Sequence, residues 1–184
     1  MSGSFPVLLV PGYSGGGPRH WMRVWHVANP EWARMALADW LSTSPQEWEE
    51  ALEHALAALP GPAVVVAHSV GCITVARHAV RCGGGKIAGA FLVAPSDVER
   101  APDLPMLRGF GPIPRERLAF PALVIASTDD PYASLTRATE WAEGWGAELR
   151  VLERLGHINS DSDLGAWPVG QALWQEFLGR LSGA

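Results

Sequence analysis

Short continuous apolar runs, separated by stretches of helical period, set the rhythm of this chain. Residues 5–10 read Phe-Pro-Val-Leu-Leu-Val and stop at Pro11-Gly12, the signature of a strand buried on both faces. Trp21, Val24, Trp25 and Ala28 recur at helical spacing over 19–28, and a weaker strand pattern follows at 34–38. Ser44-Pro45-Gln46-Glu47 combines a serine cap, a proline at the first helical position and a glutamate three residues on. It predicts a helix running to about Leu59, where Pro60-Gly61 ends it. A second buried strand is predicted at 63–67, then a helix at 70–81 closed by Gly83-Gly84-Gly85. Further strands fall at 87–94, 122–127 and 148–153, and further helices at 134–145 and 166–181. The proline-rich stretch 95–120 lacks a period and is expected to be a long excursion over the surface, a common form for a lid.

Apolar strands alternating with helices predict an α/β fold with a parallel sheet. In such sheets ligands bind beyond the carboxyl ends of the strands, so chemistry is sought just after each apolar run. At 184 residues the chain is expected to form one domain over 1–184. Its composition, 48% hydrophobic and 18% charged, is that of a folded globule. A net charge of −5 offers no basic footprint for nucleic acid. The first apolar run is too short for a membrane span and lacks the flanks of a secretory signal, so no membrane partner is expected. Cys72 and Cys82 lie too far apart on one predicted helix for a disulfide, and no metal-type spacing surrounds them; a reducing, cytoplasmic location is the default. No cofactor is expected.

Three strand ends carry chemistry. Ala67-His68-Ser69-Val70-Gly71 has the small-x-Ser-x-small form of a sharp strand-to-helix turn, with alanine where G-x-S-x-G has its first glycine. Asp129-Asp130-Pro131 follows the strand at 122–127, and Gly156-His157-Ile158-Asn159 follows that at 148–153. Serine, acid, histidine is the chain order of a triad assembled on this kind of sheet. A serine hydroxyl needs a base to accept its proton, and the base needs a carboxylate to hold one tautomer. Ser69, His157 and Asp130 are the candidates, with Asp129 a competitor for the acid and Asp97 a lesser one. The glycine-rich turn Gly12-Tyr13-Ser14-Gly15-Gly16-Gly17 ends the first strand. It would supply the Tyr13 N–H, and the helix start the Val70 N–H, for an oxyanion.

These residues carry a family resemblance. V-P-G-Y-S-G-G-G-P-R-H-W, A-H-S-V-G-C, S-T-D-D-P-Y and L-G-H-I-N resemble the small serine hydrolases of the retinoblastoma-binding-protein-nine (YdeN-like) family, in the α/β-hydrolase superfamily. The resemblance covers most of the chain and thins over 30–60 and 95–118. It implies a three-layer fold around a short, mostly parallel sheet of about six strands, without a large cap domain. By the D-D-P motif it implies Asp130 as the acid, and it puts His20 and Trp21 near the site. The activity it implies is that of a carboxylesterase on small esters.

Trp21 and Trp40 are read as potential walls of an acyl pocket, against core packing as the alternative, and His68 as a pocket-lining or supporting neighbour. Two other classes compete. A dinucleotide site would use the glycine turn and Asp39, but the turn does not match G-x-G-x-x-G. A non-catalytic interaction module could keep the same fold, since fold alone does not fix function. Acyl-chain preference and oligomeric state are not written in these motifs.

Overall fold

The structure, a computed structural model, describes residues 5–100 and 102–183. Six strands form a single sheet: β1 (Val7–Val10), β2 (Ala33–Arg34), β3 (Ala63–His68), β4 (Ile87–Val93), β5 (Ala122–Ser127) and β6 (Glu148–Leu152). Their spatial order is β2-β1-β3-β4-β5-β6, and every pairing is parallel. The helices are α1 (Trp21–Ala28), α2 (Pro45–Ala57), α3 (Val70–Cys82), α4 (Leu135–Trp145) and α5 (Pro168–Ser182). None is long and apolar enough to cross a membrane.

The strands are continuously apolar because each feeds two cores. Leu8, Val10, Val65, Ala67, Ala90, Leu92 and Val124 pack with α2, α3 and α4 through Trp48, Leu52, Ile73 and Trp141. The alternate residues, Leu9, Val64, Val66, Phe91, Val93 and Ile125, meet α1 and α5 through Trp21, Trp25, Trp174 and Phe177 on the other face. Three layers result. Only the edges break the rule: β2 is two residues long, and β6 turns Glu148 and Arg150 toward solvent-side ion pairs with Arg180 and Glu176.

The chain leaves β1 for β2 on one side, then returns to place β3 on β1's other side and progresses outward. The reversal opens a crevice at the carboxyl ends of β1 and β3. α1 departs to one face and α3 to the other, so the two loops part there.

Boundaries follow the caps. Ser44 accepts the Glu47 N–H at the start of α2, and Gly83, at φ 64°, closes α3 in the left-handed region. The second strand is shorter than expected: only Ala33 and Arg34 pair, and the Met35 N–H still reaches the Leu9 carbonyl at 2.9 Å.

The stretch 95–120 runs over the surface, with Asp103, Met106, Arg108 and Arg115 exposed, but it is not loose. Val98, Leu107, Phe110, Ile113, Leu118 and Phe120 are buried in the core beside α3 and α4. Its polar anchor is Arg137 on α4, whose guanidinium donates to Asp97 at 2.8 Å, and to Glu99 and Glu140. Arg137 and Asp97 are both buried, so each depends on the other for the solvation it has lost. Arg137→Met is expected to lower unfolding stability by about 3–5 kcal/mol, because Asp97 is left buried without its partner. Arg150→Met, in half-exposed pairs, is expected to cost less than about 1 kcal/mol. Urea unfolding midpoints of the two variants check both values.

Candidate active site

β3 ends in a corner. Ser69 sits at φ 59°, ψ −128°, a region that costs an L residue strain, and α3 begins at the next residue. The corner is tight enough to exclude side chains around it. A Cβ on Gly71 would lie 2.6 Å from the Val10 carbonyl oxygen and 2.7 Å from that of Pro11. A Cβ on Gly12 would lie 2.7 Å from the Ser69 Cβ. At the third small position Ala67 is fully buried, so the sheet accepts a methyl group where the motif commonly has glycine.

The Ser69 Oγ lies 2.9 Å from His157 Nε2, and His157 Nδ1 lies 3.0 and 2.9 Å from the two Asp130 carboxylate oxygens. Facing two carboxylate oxygens, Nδ1 carries the ring proton, and Nε2 is left to accept from the Ser69 hydroxyl. Asp130 Oδ1 also accepts the Tyr132 N–H at 2.8 Å, and the Tyr132 ring stands edge-on to His157 at 4.7 Å. Three side chains from the ends of β3, β5 and β6 thus join in one hydrogen-bonded line. All three are buried from bulk water.

A cavity of about 290 Å³ opens over this line. The Gly12–Gly17 loop forms one wall, with Leu104 and Leu107 and the 159–161 turn on other sides. Within the loop the Ser14 N–H is taken by the Trp40 carbonyl and the Gly15 N–H by that of Gly12. The Tyr13 and Val70 N–H groups make no hydrogen bond among the described residues. Gly15 and Gly16 have positive φ, as the turn requires, and lie against the Trp40 and His20 rings.

Trp40 and Trp21 do not line the cavity, which corrects their reading as pocket walls. Trp40 backs the glycine loop: its ring lies under Gly15, and Arg34 stacks over it while donating to the Gly15 carbonyl at 2.8 Å. Trp21 is fully buried and donates from Nε1 to the Ile158 carbonyl at 2.8 Å. That bond holds the residue after His157, itself at a positive φ of 48° unusual for a β-branched side chain. His68 acts beside it. Its Nε2 donates to the His157 carbonyl at 3.0 Å, while its ring borders the cavity.

His20 and His68 both lie in the cavity lining and both stay neutral. Burial, reinforced by the neighbouring histidines, pushes His68 well below the ordinary imidazole range. Burial, with His157 nearby, lowers His20 to about 4. The His20 Nδ1 caps α1 by accepting the Met22 N–H, so its proton resides on Nε2. Cys72, one turn into α3, is raised far above the usual thiol range by burial and is no rival nucleophile.

The competing acids separate cleanly. Asp129 accepts from the Ser127 hydroxyl and the Gly156 N–H, both at 2.8 Å, and these bonds lower its carboxyl. It ties the end of β5 to the loop bearing His157 and does not touch the imidazole. Asp97 is committed to Arg137.

One hydroxyl escaped the sequence reading. The Ser96 Oγ, fully buried just past β4, lies 2.7 Å from the Ser69 Oγ. With the Ser69 proton directed at His157, Ser96 is the donor in this pair. Ser96 follows a strand end as the other site residues do, but a lone serine beside the charged Asp97 carries no motif of its own. Tyr132 and Asn159 escaped as well, since nothing local marks a side chain that turns toward a distant residue.

The serine hydrolase family model matches residues 7–176. A search of curated proteins finds no match. Among solved structures, a protein described as a YdeN-like hydrolase from Pectobacterium atrosepticum superposes with a TM-score of 0.86 at 30% identity, covering 96% of this chain and 91% of that one. The ydeN gene product of B. subtilis gives 0.76 at 20% identity, over 95% and 99%. The carboxylesterase CesB of Bacillus subtilis gives 0.65 at 11% identity, over 98% and 85%. The last two speak for the fold alone. Family match, sheet order and the 30% relative agree: this chain is an enzyme of the serine hydrolase family, of the YdeN-like kind within the α/β-hydrolase superfamily.

Proposed function

We propose that the enzyme is a carboxylesterase for small esters, acting through an acyl-enzyme on Ser69. The observation that carries this reading is the line Ser69–His157–Asp130, with contacts of 2.9 to 3.0 Å. Ser69 Oγ attacks the ester carbonyl carbon as its proton passes to His157 Nε2. Asp130 holds the imidazole in the accepting tautomer and stabilises the imidazolium that forms. The oxyanion takes hydrogen bonds from the uncommitted Tyr13 and Val70 N–H groups, the latter at the positive end of α3. Collapse breaks the carbonyl–alkoxide bond, and His157 returns the proton to the departing alcohol. Water then repeats the sequence, leaving a carboxylic acid and free Ser69. The cavity volume of about 290 Å³ suits a small substrate.

The neutral histidines matter to this chemistry. His20 and His68 rings are 4.6 Å apart, and His68 and His157 rings 4.9 Å. A positive charge on either neighbour would oppose the imidazolium that His157 must become. Burial keeps both uncharged.

Three outcomes test the assignment. Ser69→Ala is expected to abolish labelling by a fluorophosphonate probe and to lower kcat on short-chain p-nitrophenyl esters by at least about 10⁴-fold. Asp130→Asn is expected to lower kcat by about 10⁴-fold through loss of the tautomer, and Asp129→Asn by less than about tenfold. Equal labelling of wild type and Ser69→Ala would overturn the nucleophile, and the reverse order of the two aspartates would overturn the acid. The pH dependence of stability follows from His20. Its folded value of about 4 lies below the ordinary imidazole value of 6.5, so the unfolded chain takes up a proton that the folded chain refuses. Stability present above pH 6.5 is lost as pH falls through about 4, by about 3 kcal/mol from this residue alone. Urea midpoints between pH 7 and pH 4 are expected to fall, and to fall less in His20→Gln.

A further inference from the structure

At the opposite end of α3 from Ser69, three side chains with metal-binding atoms converge. His78 and Cys82 stand one turn apart on the same face of α3, and Glu53 faces them from α2. One ligand atom from each lies within 4.8 Å of the other two. Together with Leu56 and Gly85 they line a cavity of about 220 Å³. His78 is buried, at 3% exposure, and its Nδ1 has no hydrogen-bond partner among the described residues. A buried polar atom without a partner costs free energy and calls for one. We propose that Glu53, His78 and Cys82 bind a divalent cation of intermediate softness, Zn²⁺ being the type, with water completing a tetrahedron.

The donor set is one that such ions select: thiolate, imidazole and carboxylate. Two anionic ligands neutralise the ion's two charges, once the Cys82 thiol has given up its proton to solvent. Arg81 engages only the Oε2 of Glu53, at 3.1 Å, so Oε1 is left for the metal. The Lys86 ammonium is held by the Ala57 and Leu59 carbonyls at 3.1 and 3.0 Å. The site also sits on the last turn of α3, where the helix dipole favours a cation. A tetrahedron with bonds of about 2.0–2.3 Å spaces its ligands somewhat closer than 4.8 Å. Rotation of the exposed Glu53 and Cys82 side chains closes that gap.

Cobalt(II) tests the proposal, because a thiolate ligand gives it an intense near-ultraviolet charge-transfer band. Wild-type enzyme is expected to bind one equivalent of Co²⁺ with that band, and Zn²⁺ to displace it. Cys82→Ser is expected to lose the band. Glu53→Gln is expected to weaken binding at least about tenfold, since even the outer partners of metal ligands are worth that much. His78→Gln, its fold checked by circular dichroism, is expected to weaken binding as much. Should that variant fail to fold, the other two, altered only at exposed positions, carry the test. Absence of the band, its survival in Cys82→Ser, or undiminished binding by Glu53→Gln would each overturn the site. Because the readout is optical, it is independent of esterase activity.

Discussion

Everything in the active-site region depends on one strained backbone corner. Ser69 is held with positive φ between a buried strand and a buried helix, where an L side chain resists being placed. The corner persists because its surroundings fix it several times over. The Ser69 N–H donates to the Val93 carbonyl at 3.0 Å, its carbonyl accepts the Cys72 N–H at 3.0 Å, and Gly71 brings α3 against the carbonyls of Val10 and Pro11. Closeness is the point. It places Ser69 beside Gly12 and Tyr13 in the lining of one cavity. No separate lid or cap is needed to build the site, because the sheet's own switch of direction makes the crevice.

The proposed base, His157, stands on the loop after β6. His157 lies between Gly156 and Ile158, both at positive φ. Four separate groups hold this loop from different directions. His68 binds the His157 carbonyl, Trp21 the Ile158 carbonyl, Asp129 the Gly156 N–H and Ser127 the Leu155 N–H. Only then does the Asp130 carboxylate meet an imidazole already aimed at Ser69. The two tryptophans nearest the site therefore serve geometry: one props the base, the other the glycine loop. An indole suits both tasks, since it fills core volume and can donate one hydrogen bond from its edge.

Local signals were legible in the sequence, and long-range ones were not. Strands at 63–67 and 122–127 were readable because burial on both faces leaves an unbroken apolar run. The serine turn was readable because steric exclusion leaves small residues around it. Asp130 was separable from Asp129 only by family resemblance; spacing alone leaves them adjacent, and the structure parts them by the direction each side chain takes. Trp21 and Trp40 stayed open between pocket wall and core for a similar reason, as periodicity shows that an indole is buried but not what its Nε1 reaches. The 95–120 stretch looked loose because its apolar residues follow no repeat. Its order comes from Arg137, forty residues from Asp97, and no local pattern could announce that pair. Ser96 shows the limit most sharply: a serine past a strand is ordinary until another hydroxyl is found 2.7 Å away.

The electrostatic design of α3 connects these observations. Its first residue, Val70, lies at the positive end of the helix dipole, where the proposed mechanism has an N–H meet the developing negative charge. Its last two turns carry Arg77 and Arg81, which Glu49 binds at 2.8 and 3.0 Å, and then the His78–Cys82 face. His78 and Cys82 lie eight and twelve residues beyond Val70, which at about 1.5 Å each sets them about 12–18 Å away along the axis. A charge bound at one end is thus far enough from the other to leave its chemistry alone across intervening protein and solvent-screened surface. The buried histidines near Ser69 obey the same economy of charge. A cationic His20 or His68 would oppose the imidazolium that the proposed mechanism forms on His157, and desolvation prevents it. Negative charge is welcomed where the helix begins and positive charge where it ends, and the side chains around each end are placed to agree.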